Sequence, residues 1–202
     1  MKISTTSCRI IVCCTVLLTG CPAMRPTTPP TRSWAQPCDT CIVGVENFAK
    51  VSPTLWRGSQ PTEDGFRNLE MAGVKTIINL RDYHDDYDDF AMLRKTNLKY
   101  IHIPMHAWDP DQAQLILLMK ILERTLQDPD SSPVFVHCAA GKDRTGYSIA
   151  TYRMVLSEDK WTQNDAITEM YDFRFNGIWF HNPTFLKSLD VEKFRALIKR
   201  AP

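Results

Sequence analysis

No cluster of lysines and arginines interrupts this 202-residue sequence, in which 24 basic residues face 23 acidic ones for a formal net charge of +1. That balance gives little support to a role in binding nucleic acid, where a basic stripe is the usual footprint. No internal repeat appears, and the only biased segment is a short Pro/Thr-rich stretch near the start. The apolar run IIVCCTVLL, Ile10 to Leu18, falls short of the ~20 residues that span a bilayer. The CDTC motif, Cys38 to Cys41, has no second CxxC and no neighbouring histidine to complete a metal site. No strand precedes it as in thioredoxin-like redox motifs, so a local disulfide is expected there. What is present is 44% hydrophobic residues over a length that suits one ordinary domain.

The first twenty residues stand apart from that domain. Lys2 and Arg9 give a positive start, the apolar run follows, and Leu18-Thr19-Gly20-Cys21 closes it. This is the pattern of a secretory signal, and LTGC resembles the lipobox of bacterial lipoproteins. The resemblance implies cleavage before Cys21 and a lipid on that cysteine. Pro22 follows it, where an aspartate would favour retention at the inner membrane, so an outer-membrane anchor facing the periplasm is expected. The expected organisation is a signal over residues 1–20, a lipidated cysteine and extended tether over 21–40, and a folded domain over 41–202. A monomer attached to the membrane through its N-terminal lipid is expected.

From Val45 onward, strand-like and helix-like segments alternate. TLWRG, VKTIINL, KYIHIPM and PVFVH read as strands. TEDGFRNLEMAG reads as a helix capped by Thr62 and stopped at Gly73. Further helices are expected over DDFAMLRKTN, DQAQLILLMKILERTL, Thr145 to Leu156, Gln163 to Tyr171 and Pro183 to Lys199. Such alternation predicts an α/β fold with a mainly parallel central sheet flanked by helices. Ligands then sit beyond the carboxyl ends of the strands, and VFV delivers His137 and Cys138 to that edge.

The stretch that follows, HCAAGKDRTG, carries the chemistry. A turn that runs into a helix N-terminus offers unpaired backbone N–H groups and the positive end of a helix dipole. Gly141 allows the backbone to curl inward, and Arg144 brings a planar fork that clasps two oxygens of a phosphate. The same positive field favours the thiolate of Cys138, which under a bound phosphate is a nucleophile aimed at phosphorus. Thr145 is placed to donate its hydroxyl to the sulfur. Asp143, and not Ser or Thr, follows the Gly-Lys pair, so the turn is not a nucleotide-binding P-loop. A cysteine at a strand end is by itself most often a small buried hydrophobe; Cys138, Gly141, Arg144, Thr145 and Gly146 together reverse that reading.

HCAAGKDRTG resembles the signature of the cysteine-dependent protein tyrosine and dual-specificity phosphatases: His-Cys, five residues, Arg, then Ser or Thr. The likeness extends from about Val45 to Leu189, and LWRGSQPTEDGFRNLEMAGVKTIINLR is similar to the opening of small bacterial dual-specificity-type members. With the export signal and PMHAWD, it points to their periplasmic branch. The resemblance implies a dual-specificity-phosphatase-like fold and hydrolysis of phosphotyrosine, with phosphoserine and phosphothreonine as further substrates. It also implies a phosphocysteine intermediate, no metal and no cofactor. The expected partners are a phosphorylated protein or a small phosphate ester. Ala139, Ala140, Gly141, Lys142, Asp143 and Thr145 would bind the phosphate, with His137 fixing the turn.

The family carries an acidic residue about thirty positions before the cysteine, and HAWDPDQ offers Asp109 and Asp111. Asp109 is the expected general acid, since Asp111 sits where a cap of the following helix belongs. Lys142 also occurs in family members that act on inositol phospholipids, which leaves inositol phosphates and phosphoinositides as an alternative. A silent phosphate-binding module is disfavoured because nucleophile, arginine, hydroxyl and acid are all present. The acidic RDYHDDYDD, with His84, reads as a solvated loop and not as a metal cluster. His102 is expected to be structural, His106 is a possible pocket residue, and Arg57 reads as structural more than as part of the pocket.

Overall fold

The computed structural model describes residues 33–82, 93–159 and 161–200. Strands β1 (Ala49–Lys50), β2 (Leu55–Gly58), β3 (Thr76–Arg81), β4 (Lys99–Met105) and β5 (Val134–His137) form one sheet in the order β1-β2-β5-β3-β4. β2, β5, β3 and β4 run parallel, and β1 adds an antiparallel edge. The mainly parallel sheet is therefore present, with a mixed edge the sequence pattern did not reveal. β5 occupies the centre, and all four of its residues are buried.

Alternation along the strands supplies two cores. Trp56, Ile77 and Phe135 meet Phe66 and Leu69 of helix α1 (Glu63–Met71) on one face. Leu55, Ile78, Val134 and Val136 belong to the larger core on the other. That core includes helices α2 (Gln112–Gln127), α3 (Asp143–Val155), α4 (Gln163–Asp172), α5 (His181–Ser188) and α6 (Val191–Arg200). α3 is buried at every position from Thr145 to Val155, the mark of a helix enclosed on all sides.

Local chemistry sets the boundaries. Thr62 caps α1 by accepting from the Gly65 N–H at 3.1 Å, and Gly73 follows the helix with φ 103°. Asp111 caps α2 by accepting from the Gln114 N–H at 2.9 Å. α3 starts at Asp143, two residues earlier than expected, so Arg144 lies in its first turn. The single helix expected over Pro183 to Lys199 is two. Leu189 is extended, and the Asp190 carboxylate accepts from the Lys193 N–H at 3.0 Å, which begins α6 afresh. The first half of the helix expected over DDFAMLRKTN lies outside the described residues.

The tether expected to reach residue 40 needs correction, because the described residues from Ser33 on pack against the domain. Ala35 is buried, and its N–H donates to Glu169 Oε1 at 2.9 Å. Ser33 O accepts from Arg153, and the Trp34 ring lies 4.9 Å from that of Trp161. Arg153 itself grips both Glu169 oxygens, at 2.9 and 2.7 Å, with both side chains only 2% exposed. Cys38 and Cys41 form the expected disulfide, and Cys38 bridges to Phe48. A Pro/Thr-rich composition did not foretell this docking, which depends on a buried ion pair contributed by two distant helices.

Removing one partner of such a pair leaves a buried charge uncompensated. Glu169→Ala is expected to cost about 3–5 kcal/mol, whereas replacing Arg153 and Glu169 together by Met recovers most of it. Urea denaturation of both variants checks this.

Candidate active site

The site begins where β5 ends. Cys138 is buried, at 3% exposure, and its sulfur is free. The carbonyls that follow are turned away from the loop's interior. Cys138 O faces His137 Nδ1 at 3.2 Å, and Ala139 O accepts from the Gln60 N–H at 3.0 Å. Gly141 O accepts from Asn47 Nδ2 at 3.0 Å and from Arg57 Nη2 at 2.6 Å. Lys142 O takes the first helical bond of α3, from Gly146 N–H at 2.9 Å. With carbonyls held outward and the first N–H groups of α3 lacking helical partners, the loop forms a nest of donors.

Gly141 makes this curl possible. Its φ is 66°, and a Cβ there would sit 2.5 Å from both carbonyl atoms of Gly58 on β2. Thr145, one turn into α3, is fully buried, and its hydroxyl has no partner among the described residues. His137 is fully buried and stacks on Phe135 with ring centroids 5.8 Å apart, as befits a residue that fixes the turn.

Arg144 is where sequence reasoning fell short. Its Nη1 donates to Asp82 Oδ1 at 2.5 Å, with both side chains only 13–14% exposed. Asp82 was expected in a solvated acidic loop, but its place immediately after β3 carries it to the same sheet edge as Cys138. The rest of that loop, His84 included, lies outside the described residues. The other Asp82 oxygen faces His106 Nδ1 at 3.4 Å. His106 stacks on Trp108 at 5.2 Å, and Trp108 meets Trp179 at 6.1 Å.

The Asp143 carboxylate accepts from the Asn176 N–H at 2.9 Å, and the Trp179 side chain is near enough to favour its charged form. Burial raises the Asp143 carboxyl above its ordinary range, against the pull of that N–H and of Arg144 and Lys142. The contacts thus run from Arg144 through Asp82, His106, Trp108 and Trp179 back to Asp143, its neighbour in the chain. They make a rim that is largely aromatic.

The HAWDPDQ segment is tied to this rim by its backbone. Tyr147 of α3 donates its hydroxyl to His106 O at 2.9 Å, and the buried Asn182 of α5 donates to Ala107 O at 2.8 Å. Burial raises the Tyr147 phenol well above its usual range, and the negative charge at Cys138 adds to the effect. Asp109 is exposed beside Trp108, while Asp111 is engaged as the α2 cap. His102 Nε2 lies 2.7 Å from Arg81 O, a structural contact as expected. On the other side of the loop a cleft of about 450 Å³ opens against Ala139 and Ala140, walled in part by Val45, Glu46 and Ser59.

Residues 42–200 match the model of the tyrosine phosphatase family. The chain belongs to this family. It is 32% identical over 156 residues to the dual specificity protein phosphatase TpbA of Pseudomonas aeruginosa, an alignment covering 76% of this chain and 65% of TpbA. It is 28% identical over 172 residues to the inositol diphosphatase SIW14 of Saccharomyces cerevisiae, covering 79% of this chain and 56% of SIW14. The chain thus spans just under two thirds of TpbA's length. The crystal structure of P. aeruginosa TpbA superposes with a TM-score of 0.67 at 29% identity, over 84% of this chain and all of that one. A TpbA Cys-to-Ser variant solved in complex with pTyr gives the same score at 28% identity, over 85% of this chain. The catalytic core of SIW14 shares the fold, with a TM-score of 0.64 over 79% of this chain and 94% of that core, at 23% identity.

Gly141→Ala puts a side chain into a left-handed backbone and into the Gly58 carbonyl. It is expected to cost about 1–3 kcal/mol of stability and to abolish vanadate binding, read by denaturation and by titration.

Proposed function

We propose that this chain hydrolyses phosphotyrosine and related aryl phosphate monoesters through a phosphocysteine intermediate. The observation that supports this reading is that loop carbonyls after Cys138 are engaged outside the loop, which leaves backbone N–H groups to meet a phosphate above the sulfur. Arg144 clasps two phosphate oxygens with its fork. The Cys138 thiolate attacks phosphorus, the S–P bond forms and the P–O bond to the leaving group breaks. Asp109 gives its proton to the departing oxygen. Asp109 then takes a proton from water, which attacks phosphorus, breaks the S–P bond and releases phosphate. Ala139, Ala140, Gly141, Lys142, Asp143 and Thr145 would contribute the N–H donors.

Phosphoserine and phosphothreonine fit the same chemistry, as the name of TpbA suggests for a relative. A second reading, an inositol phosphate or phosphoinositide phosphatase, is favoured by Lys142 and by the relative SIW14. The aromatic rim of His106, Trp108 and Trp179 supports an aryl ester over a polyanion. Relative turnover of a phosphotyrosine peptide and an inositol polyphosphate separates the two.

Cys138→Ser is expected to abolish turnover while keeping phosphate or vanadate affinity, because the donors belong to the backbone and Arg144. Asp109→Asn is expected to slow phosphotyrosine hydrolysis by about 10²–10⁴-fold and hydrolysis of an activated aryl phosphate far less. Asp111→Asn should lose only a cap, about 0.5–2 kcal/mol. A leaving-group-dependent loss at Asp111 with a silent Asp109 would transfer the acid role.

The same reading extends to the N-terminus, which lies outside the described residues. Cys21 carries lipid after removal of residues 1–20 and holds the domain on the outer membrane, facing the periplasm. Cys21→Ala should then block processing and release the protein from the membrane fraction. A membrane fraction unchanged by the substitution, with no lipid on the peptide by mass spectrometry, would overturn this.

A further inference from the structure

We infer that Arg57 is a second cation of the phosphate site, a positioning residue that holds the Gly141 peptide outward from behind and favours the anionic states of the loop. This rests on the phosphatase reading above. Arg57 lies on β2 in register with Val136 of β5, two residues before Cys138. Its side chain is fully buried on the sheet. Its Nη2 donates to Gly141 O, and neither Nε nor Nη1 finds a hydrogen-bond partner among the described residues.

That is an unusual state for a buried arginine, which ordinarily forks onto a carboxylate. Glu169 is near enough to act on its charge, but Arg153 and the Ala35 N–H already hold both Glu169 oxygens. The Phe173 ring, 3.7 Å from the guanidinium carbon, supplies a partial counter-charge. Burial lowers the guanidinium pKa to about 10 even against the opposing pull of negative charge on Glu169 and Cys138.

A structural role alone accounts poorly for these facts. An apolar side chain of similar length would pack on Phe173 without desolvating a charge. What the charge supplies lies at the loop. With Asn47, itself buried and held at φ 51° with its Nδ2 also on Phe173 O, Arg57 satisfies the Gly141 carbonyl. A thiolate at Cys138 and a bound oxyanion then add to the counter-charge that Arg57 receives from Glu169, a carboxylate already engaged by Arg153. In a buried site such attraction is little weakened by salt.

Arg57→Met separates the two roles, because it keeps the bulk and removes the charge. The expected result is a melting temperature at or above wild type. The dissociation constant for inorganic phosphate or vanadate should rise about 10–100-fold, as for loss of a charged hydrogen bond, and alkylation of Cys138 by iodoacetamide should slow. Arg57→Lys, which keeps a cation and a donor, should restore part of the phosphate affinity. Wild-type phosphate affinity and alkylation rate in the Met variant overturn the proposal. So does a Met variant that unfolds or melts well below wild type, which would assign Arg57 to the scaffold. If the phosphatase reading itself is wrong, the unmutated protein shows neither turnover nor phosphate binding.

Discussion

A buried thiol can meet a phosphate only if the backbone around it presents N–H groups and hides its carbonyls. Every carbonyl turned out of such a loop must find a donor elsewhere, since an unpaired buried acceptor is expensive. Much of the structure around Cys138 answers that demand. β2 supplies Arg57 and, just beyond its end, the Gln60 N–H; the segment before β1 supplies Asn47; α3 supplies the Gly146 N–H. The parallel pairing of β2 and β5 brings these donors level with the loop. The sheet order places the ends of β2, β5 and β3 side by side.

Three arginines show how differently one side chain is used within a single domain. Arg153 is neutralised by a buried carboxylate and fastens the N-terminal segment to α3 and α4. Arg144 is held at the mouth of the loop by Asp82, a carboxylate that a phosphate would have to displace from the same fork under the proposed function. Arg57 rests on a carbonyl and an aromatic ring. In the proposal above, an anion in the site would add to the counter-charge it receives from Glu169. The electrostatic states of these residues thus range from structural, through exchangeable, to dependent on ligand.

Under the proposed function, the rim would add selectivity to a loop suited to phosphate monoesters. His106, Trp108 and Trp179 come from two segments that never meet in sequence, and Asp143 ties the second of them to the phosphate loop. Flat aromatic surfaces beside the phosphate suit a phenyl ring, whereas polyanions call for a rim of cations.

The sequence by itself determined what is local. Capping residues marked the starts of α1 and α2, β-branched runs marked the central strands, and HCAAGKDRTG announced a thiol, an anion-binding turn and an arginine in fixed spacing. These are short-range patterns, and the backbone obeys them wherever the chain is folded. Tertiary structure decided the rest. Asp82 looked like one of several solvated acids until β3 delivered it to Arg144, and Arg57 read as structural more than as part of the pocket until β2 paired with β5. Residues 33–38 read as tether because they close a stretch rich in Pro and Thr. Yet they are pinned by Arg153 and Glu169, more than a hundred positions away. Pairing between distant charges leaves no periodicity in a sequence. It exists only once the sheet order has set which strand ends are neighbours.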